Sequence, residues 1–321
     1  MLPLSTYFKQ FSKLTRGVTQ YGKAPHKVVM LLSVLQSFRS KSMVQNRIEV
    51  TPELVFLFKT NWSALVHSAH VCNFALPFWH LKGEPFWHLQ ARFGYEKMMH
   101  SKVSVSSLGV LNTYVMYAQL DADLFQLCCD DASNDALQQH LLSEYFPQAQ
   151  VQHNQAQYVT GTLFDELGGK IVSESAAQYQ TEIKALISQN NEEEVFIRGG
   201  MFKRMIPKIY HNTCCISGWR VDAMSNISMI DACHIIPFAE SHDDTITNGI
   251  ALCPNLHRAF DRGLIHINEE YRVVLSKHFK ENNATYQLSQ FENKKILLPE
   301  NPAHYPSREA LRSRLNMAYA S

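Results

Sequence analysis

Four side chains between Asp231 and Ile267 have the types and the spacing for hydrolytic chemistry. The stretch reads DACHIIPFAESHDDTITNGIALCPNLHRAFDRGLIHI. His234 is followed fourteen residues later by Asn248, then after nine more by His257 and after four more by Asp261. An imidazole titrates near neutrality, so it can take a proton from water at physiological pH. Asn offers a donor and an acceptor together and can pin the backbone of a loop. An imidazole and a carboxylate on one surface can hold a divalent cation, which offsets charge on an attacked phosphorus and on its leaving oxygen. The set suits hydrolysis of a phosphodiester assisted by one metal ion.

The elements needed to position these groups are legible around them. Met229 to Ile236 is rich in apolar and β-prone residues and predicts a strand. Ala239 to Thr247 is polar and turn-like, and Gly249 to Cys253 is a short apolar run. Pro254 suits the first turn of a helix, on which His257 and Asp261, four apart, share one face. The expected order is strand, loop, short strand, helix.

These residues resemble the HNH (ββα-metal) nuclease family. The resemblance rests on Cys215-Ile216-Ser217-Gly218, Ala232-Cys233-His234-Ile235, Asn248-Gly249-Ile250-Ala251-Leu252-Cys253 and His257-Arg258-Ala259-Phe260-Asp261-Arg262-Gly263, in order and at family-like spacing. It implies catalytic roles for His234, Asn248 and His257: His234 as the general base that activates water, and Asn248 as the residue fixing the loop that orients it. His257 and Asp261 would be the metal ligands, with Mg²⁺ or Mn²⁺ as the single ion, and Arg258 and Arg262 of the same motif would lie at DNA. Many members carry Asp or His immediately before the general base as a further ligand. Here Cys233 stands there, and thiolate suits Mg²⁺ badly. Asp231, of the same strand parity, is a candidate to contribute through water. Zinc-stapled members carry CxxC pairs, whereas this chain has Cys215-x-x-Gly218 and a single Cys253, so no structural zinc is expected.

Composition bounds the rest. At 321 residues, with 45% hydrophobic and 18% charged, the chain reads as one large or two medium globular domains. It has no run of eighteen apolar residues, and its start lacks a basic segment followed by an apolar one, so neither a membrane partner nor secretion is expected. Seven cysteines without a spaced framework suit a reducing cytoplasm. The net charge of +1 conceals a strong asymmetry: residues 1–110 carry +9, residues 111–195 carry −11 and residues 196–321 carry +3. A basic first third is an electrostatic footprint for phosphate, and the acidic middle reads as a solvated helical connector.

Within the first third, Ala24-Pro25-His26-Lys27 opens an apolar helix, Val28 to Phe38, and Thr51-Pro52-Glu53-Leu54 opens a second. PFWHLKGEPFWHL, Pro77 to Leu89, is nearly a tandem repeat around Lys-Gly-Glu-Pro and predicts a short aromatic hairpin. Together with Leu142-Ser143-Glu144-Tyr145-Phe146-Pro147, these motifs resemble the sulfur-binding domain found upstream of HNH nucleases that cut phosphorothioated DNA. The resemblance implies His26 and Lys27 at the phosphate, with Leu76, Pro77 and Phe78 at an apolar sulfur cavity and His80 in the same DNA-binding motif. Sulfur is larger and less well hydrated than oxygen. Such a cavity therefore favours it over an oxygen stripped of water without a replacement hydrogen bond.

The expected fold is α+β. A mainly helical DNA-reading domain with an aromatic hairpin spans 1–147, an acidic helical connector and linker spans 148–194, and a ββα-metal nuclease domain spans 195–321. Within the last, Arg198 to Tyr210 reads as a basic helix offering Arg198, Lys203, Arg204 and Lys208 to phosphate. The expected function is a modification-dependent endonuclease that recognises phosphorothioated double-stranded DNA, in restriction of foreign DNA. One alternative is an HNH endonuclease reading another modification or DNA structure; a second is a DNA-binding module with a degenerate nuclease. A double-strand cut by a single-site domain needs two copies, which makes a homodimer a candidate assembly.

Overall fold

A computed structural model describes residues 3–148, 164, 166–170, 174–221, 228–277, 279–282 and 284–320. Of the acidic helical connector and linker expected over 148–194, residues 149–163, 165 and 171–173 lie outside these residues. The chain divides into two compact units, 1–164 and 165–321. Among the described residues, no helix is long and apolar enough to cross a membrane.

The first unit contains α1 (Leu4–Ser12), the two-residue strands β1 (Val18–Thr19) and β2 (Gly22–Lys23), α2 (His26–Arg39), α3 (Pro52–Leu65) and α4 (Ala75–His80). It continues with β3 (Trp87–Ala91), α5 (Glu96–Met99), α6 (Leu108–Tyr114), β4 (Val115–Leu120), α7 (Ala122–Cys129) and α8 (Asp131–Tyr145). A helix apolar on every side has no solvent face and must be central. Accordingly α2 is buried from Lys27 through Phe38, with α3, α4, α7 and α8 packed around it. Its polar members are paired inside the core: Asn61 Nδ2 donates to Ser33 Oγ at 2.9 Å and to Gln36 Oε1 at 2.7 Å. As the sequence predicts, Thr51 caps α3, accepting from Leu54 N at 3.2 Å, with Pro52 in the first turn.

The aromatic repeat is not a hairpin. Its first half is α4 followed by a 3₁₀ turn, Leu81–Gly83, and only its second half, β3, is extended. β3 pairs antiparallel with the distant β4, in the register Trp87↔Leu120 to Ala91↔Val115. Pro77 supplies the reason. Proline cannot donate to a strand ladder, but its missing N–H costs nothing in the first turn of a helix. Asn73 Oδ1 caps that turn, accepting from Leu76 N at 2.9 Å.

After a helical stretch at 166–170, the second unit continues with α9 (Ala176–Ser188) and α10 (Glu192–Ile209), which pack on each other. The sequence places α9 and the start of α10 in a solvated connector. Instead Tyr179 and Ile183 of α9 are buried, and Glu192 to Glu194 are the start of a helix. Asn191 caps α10, and three glutamates occupy its first turn, where negative charge complements the helix dipole.

β5 (Asp231–His234) follows, then α11 (Phe238–Ser241), a 3₁₀ turn Ile246–Asn248, β6 (Gly249–Leu252) and α12 (Pro254–Asp261). β5 and β6 pair antiparallel, Asp231↔Leu252 through His234↔Gly249. α10 and α12 both pack on this two-stranded sheet. β7 (Ile265–Ile267) and β8 (Val273–Leu275) form an antiparallel hairpin, and α13 (Arg308–Ala320) is capped by Ser307, which accepts from Ala310 N at 3.2 Å. The predicted fold class holds: a mixed helix-and-strand chain with a ββα unit in its second half.

Gly249 is required by packing rather than by backbone freedom, since its φ is −125°. A Cβ there would fall 2.7 Å from Phe202 Cε2 and closer still to the tip of Ile206, both on α10. Gly249→Ala should therefore destabilise the fold by about 1–3 kcal/mol, seen as a lowered urea midpoint at unchanged slope.

Candidate active site

The site is built on the ends of β5 and β6 and on α12. Asn248 closes it. Its side chain donates from Nδ2 to Ile236 O and to Asp243 O, each at 2.9 Å, and Oδ1 accepts from Ile236 N at 2.9 Å. Its backbone carbonyl accepts from Ile235 N at 2.8 Å. Both functions of the amide are used, so the loop leaving β5 is fastened to the start of β6.

His234 sits at the end of β5 with its ring stacked on Phe202, at 4.0 Å between centroids and 8° between planes. Its Nε2 donates to Asp244 Oδ1 at 2.7 Å. Asp244 is only 3% exposed, and its other oxygen accepts from the Tyr179 hydroxyl at 3.0 Å. With the proton of His234 on Nε2, the lone pair of Nδ1 is left to act as a base.

His257 and Asp261 lie one turn apart on α12, with His257 Nε2 3.3 Å from Asp261 Oδ2. Pro254 starts this helix, and Gly263, at φ +66°, ends it in a Schellman motif: Gly263 N donates to Phe260 O and Leu264 N to Ala259 O. His257 Nδ1 donates to Asp231 Oδ2 at 3.2 Å, which turns Nε2 toward Asp261. The sulfur of Cys233, a ring nitrogen of His257 and a carboxylate oxygen of Asp261 all lie within 4.8 Å of one another. A nitrogen and an oxygen donor fit a first-row divalent ion, whereas the sulfur would bind only as a thiolate and then favour a softer ion than Mg²⁺. Burial, reinforced by the Asp261 carboxylate, holds the Cys233 thiol well above its ordinary pKa, so it is a thiol that donates toward Asp261 Oδ1 at 3.8 Å. Arg258 is exposed on the same helix and Arg262 at its C-terminal cap.

Several contributors carry no signal in the motif. Asp244 lies in a polar loop where acidic residues are ordinary, and Tyr179 and Phe202 read as core aromatics. Asp231, expected at most to act through water, instead orients His257 directly. Arg314, on the terminal helix, donates to Ile235 O and to Phe260 O at 2.6 Å each and lies 3.9 Å over the Phe260 ring, tying β5 to α12. Arg198, expected at phosphate, is committed to Glu174 and Glu182 at 3.1 and 2.6 Å.

Residues 214–268 match the HNH endonuclease family model. The chain carries an HNH endonuclease domain. Among solved structures, the modification-dependent TagI restriction endonuclease is similar over 36% of this chain at 19% identity, with a TM-score of 0.28. The likeness spans 36% of that protein's own length and at this score does not establish a shared fold. No curated protein matches the chain.

In the first unit the expected DNA contacts are placed unequally. α2 packs on α4, which brings the elements bearing His26, Lys27, Leu76, Pro77, Phe78 and His80 together. Lys27, however, is not a surface cation. It is buried with its ammonium 2.6 Å from Glu84 Oε1, a pair that a phosphate would have to break. Pro77 and Phe78 are buried, Leu76 is half-buried and His80 is exposed. His26 donates to Val71 O at 2.8 Å, and burial lowers its pKa. His80 bonds Ser104 Oγ at 2.8 Å, and burial, then Lys27 and Lys82, lower its pKa too. Both imidazoles are thus biased toward the neutral form. An open groove of about 630 Å³, lined in part by Arg16, Tyr21, Lys23, His67, His70 and Tyr145, offers positive charge beside aromatic rings.

Asn248→Ala would leave the Ile236 amide and two loop carbonyls without their partner in a buried turn. The expected loss of stability is about 1–3 kcal/mol, measurable by urea unfolding; an unchanged midpoint would contradict the anchoring role.

Proposed function

We propose that this chain is a DNA endonuclease whose first unit reads a phosphorothioated backbone and whose HNH domain hydrolyses the phosphodiester. The observation that carries the nuclease reading is the grouping of Cys233, His257 and Asp261 beside a histidine held by a buried carboxylate. His234, through Nδ1, takes the proton of the attacking water. Phe202 fixes the plane of its ring, and Asn248 fixes the loop that follows it. A divalent ion, Mg²⁺ or Mn²⁺, held by His257 and Asp261 would offset negative charge on the phosphorus centre and on the departing oxygen. Arg258, on the helix that bears the ligands, and Arg262, at its C-terminal cap, supply exposed charge.

The choice of substrate rests on the first unit. Support for sulfur reading comes from the motifs Ala24 to Lys27 and Pro77 to Leu81, from the half-buried apolar Leu76 and from the exposed neutral His80. With Lys27 paired internally, Arg16 and Lys23 of the open groove are better placed to meet phosphate. The buried Lys27–Glu84 pair also favours a second reading, in which the same unit reads another DNA modification or structure.

Matched plasmids with and without the sulfur modification, incubated with the full chain in Mg²⁺ or Mn²⁺, decide between the two. Preferential cleavage of the modified plasmid is expected; equal cleavage would leave the nuclease and remove the sulfur specificity. His234→Ala should lower the cleavage rate about 100- to 10,000-fold while duplex binding in EDTA is unchanged. Retained cutting would dismiss His234 as the base.

A further inference from the structure

We propose that Tyr179 and Asp244 are positioning residues for His234: Tyr179 fixes the Asp244 carboxylate, and Asp244 fixes the tautomer and direction of the imidazole. This rests on His234 being the general base.

The three groups form one chain of hydrogen bonds that ends in the protein interior. Asp244 Oδ1 accepts from His234 Nε2 at 2.7 Å and Oδ2 accepts from the Tyr179 hydroxyl at 3.0 Å. A neutral imidazole has one N–H, and a carboxylate facing Nε2 holds that proton there, leaving Nδ1 unprotonated for catalysis. The opposite tautomer would set a lone pair against a buried anion. Tyr179 has no exposed surface, and burial, with the neighbouring Asp244 carboxylate, pushes its pKa up, so it stays a phenol that donates. The donor is itself immobilised. The Arg198 guanidinium lies 5.2 Å over the Tyr179 ring and is gripped by Glu174 and Glu182. On the other side Phe202 stacks flat against the imidazole, so the ring cannot tilt without losing the stack, nor flip without losing the hydrogen bond to Asp244. Two of these supports, Tyr179 on α9 and Phe202 on α10, precede the span that matches the HNH family.

Asp244→Asn keeps the shape of the carboxylate but can present an N–H to Nε2, favouring the unproductive tautomer. A kcat lowered about 100- to 10,000-fold at unchanged KM is expected, by analogy with the histidine-orienting aspartate of serine proteases. Tyr179→Phe keeps the packing and removes only the hydroxyl; kcat lowered about tenfold, with KM, metal-free DNA binding and Tm held, is expected. A merely structural role would lower Tm and leave kcat per folded molecule untouched. Independently of activity, ¹⁵N-histidine NMR of the full chain should find His234 as the Nε2–H tautomer in the wild type and redistributed in Asp244→Asn. Wild-type kcat in both variants, or an Nδ1–H tautomer in the wild type, overturns the relay while leaving the nuclease intact. A wild-type chain that cuts neither DNA, or a His234→Ala variant that still cuts, removes His234 as the base and the relay with it.

Discussion

The structure of the second unit depends on one constraint: the loop between β5 and β6 is buried at its centre, and the polar groups there must find partners inside the protein. Asp243, Asp244, Thr245 and Asn248 are each at most 7% exposed. A buried carboxylate or amide left unpaired costs as much as a good part of a domain's net stability. Satisfying them fixes the local geometry. Asn248 spans the loop, Asp243 Oδ1 accepts from Thr245 N at 2.8 Å, and Asp244 commits one oxygen to Tyr179 and the other to His234. The orientation of the His234 imidazole is therefore a consequence of the same accounting that folds the loop.

The first unit solves a different problem. Its central helix α2 is apolar all round and asks only to be surrounded. The charge it carries in, Lys27, is neutralised by Glu84, whose Oε1 also accepts from Thr15 N at 3.1 Å. Breaking such a pair from one side leaves an uncompensated buried charge, which makes Lys27 a poor partner for a ligand that comes and goes. Net positive charge in a sequence segment is thus a guide to the surface only after the buried cations are removed. The residues of the open groove, Arg16 and Lys23 among them, survive that subtraction.

The same contrast decides what is legible in the chain. The strand, loop, strand and helix around His234, Asn248, His257 and Asp261 can be read because short-range spacing sets them: a proline opens α12, a glycine closes it, and a four-residue interval aligns His257 with Asp261. The α+β class and the helices α2 and α3 follow from periodicity and capping residues for a similar reason. The aromatic repeat misleads because its two halves look alike while their partners differ. The second half, β3, finds its partner in β4, where Ala91 pairs with Val115, so the ladder is closed from far along the chain instead of by the adjacent half of the repeat. The first half, holding Pro77, is better satisfied as a helical turn against α2. Tyr179, Asp244, Phe202 and Arg314 stay hidden for a related reason. Their roles come from tertiary contacts between elements far apart in sequence, and each residue type is commonplace where it stands.

The arrangement of His234, His257 and Asp261 draws on more chain than the matched span. A span the size of 214–268 is marginal alone, because so short a chain buries only a modest fraction of its surface. Here the imidazole of His234 leans on Phe202, its carboxylate partner is held by Tyr179, and Gly249 leaves the space that Ile206 and Phe202 fill, all from helices that precede the span. Arg314, from beyond its other end, joins the carbonyl of Ile235 to that of Phe260, and so joins the strand bearing His234 to the helix bearing His257 and Asp261. The motif supplies the reactive groups, but the distances between them are set from outside it. The unit that sets His234 against His257 and Asp261 is therefore the whole of 165–321, and a substitution in α9, α10 or α13 can act on their arrangement without touching any residue of the motif.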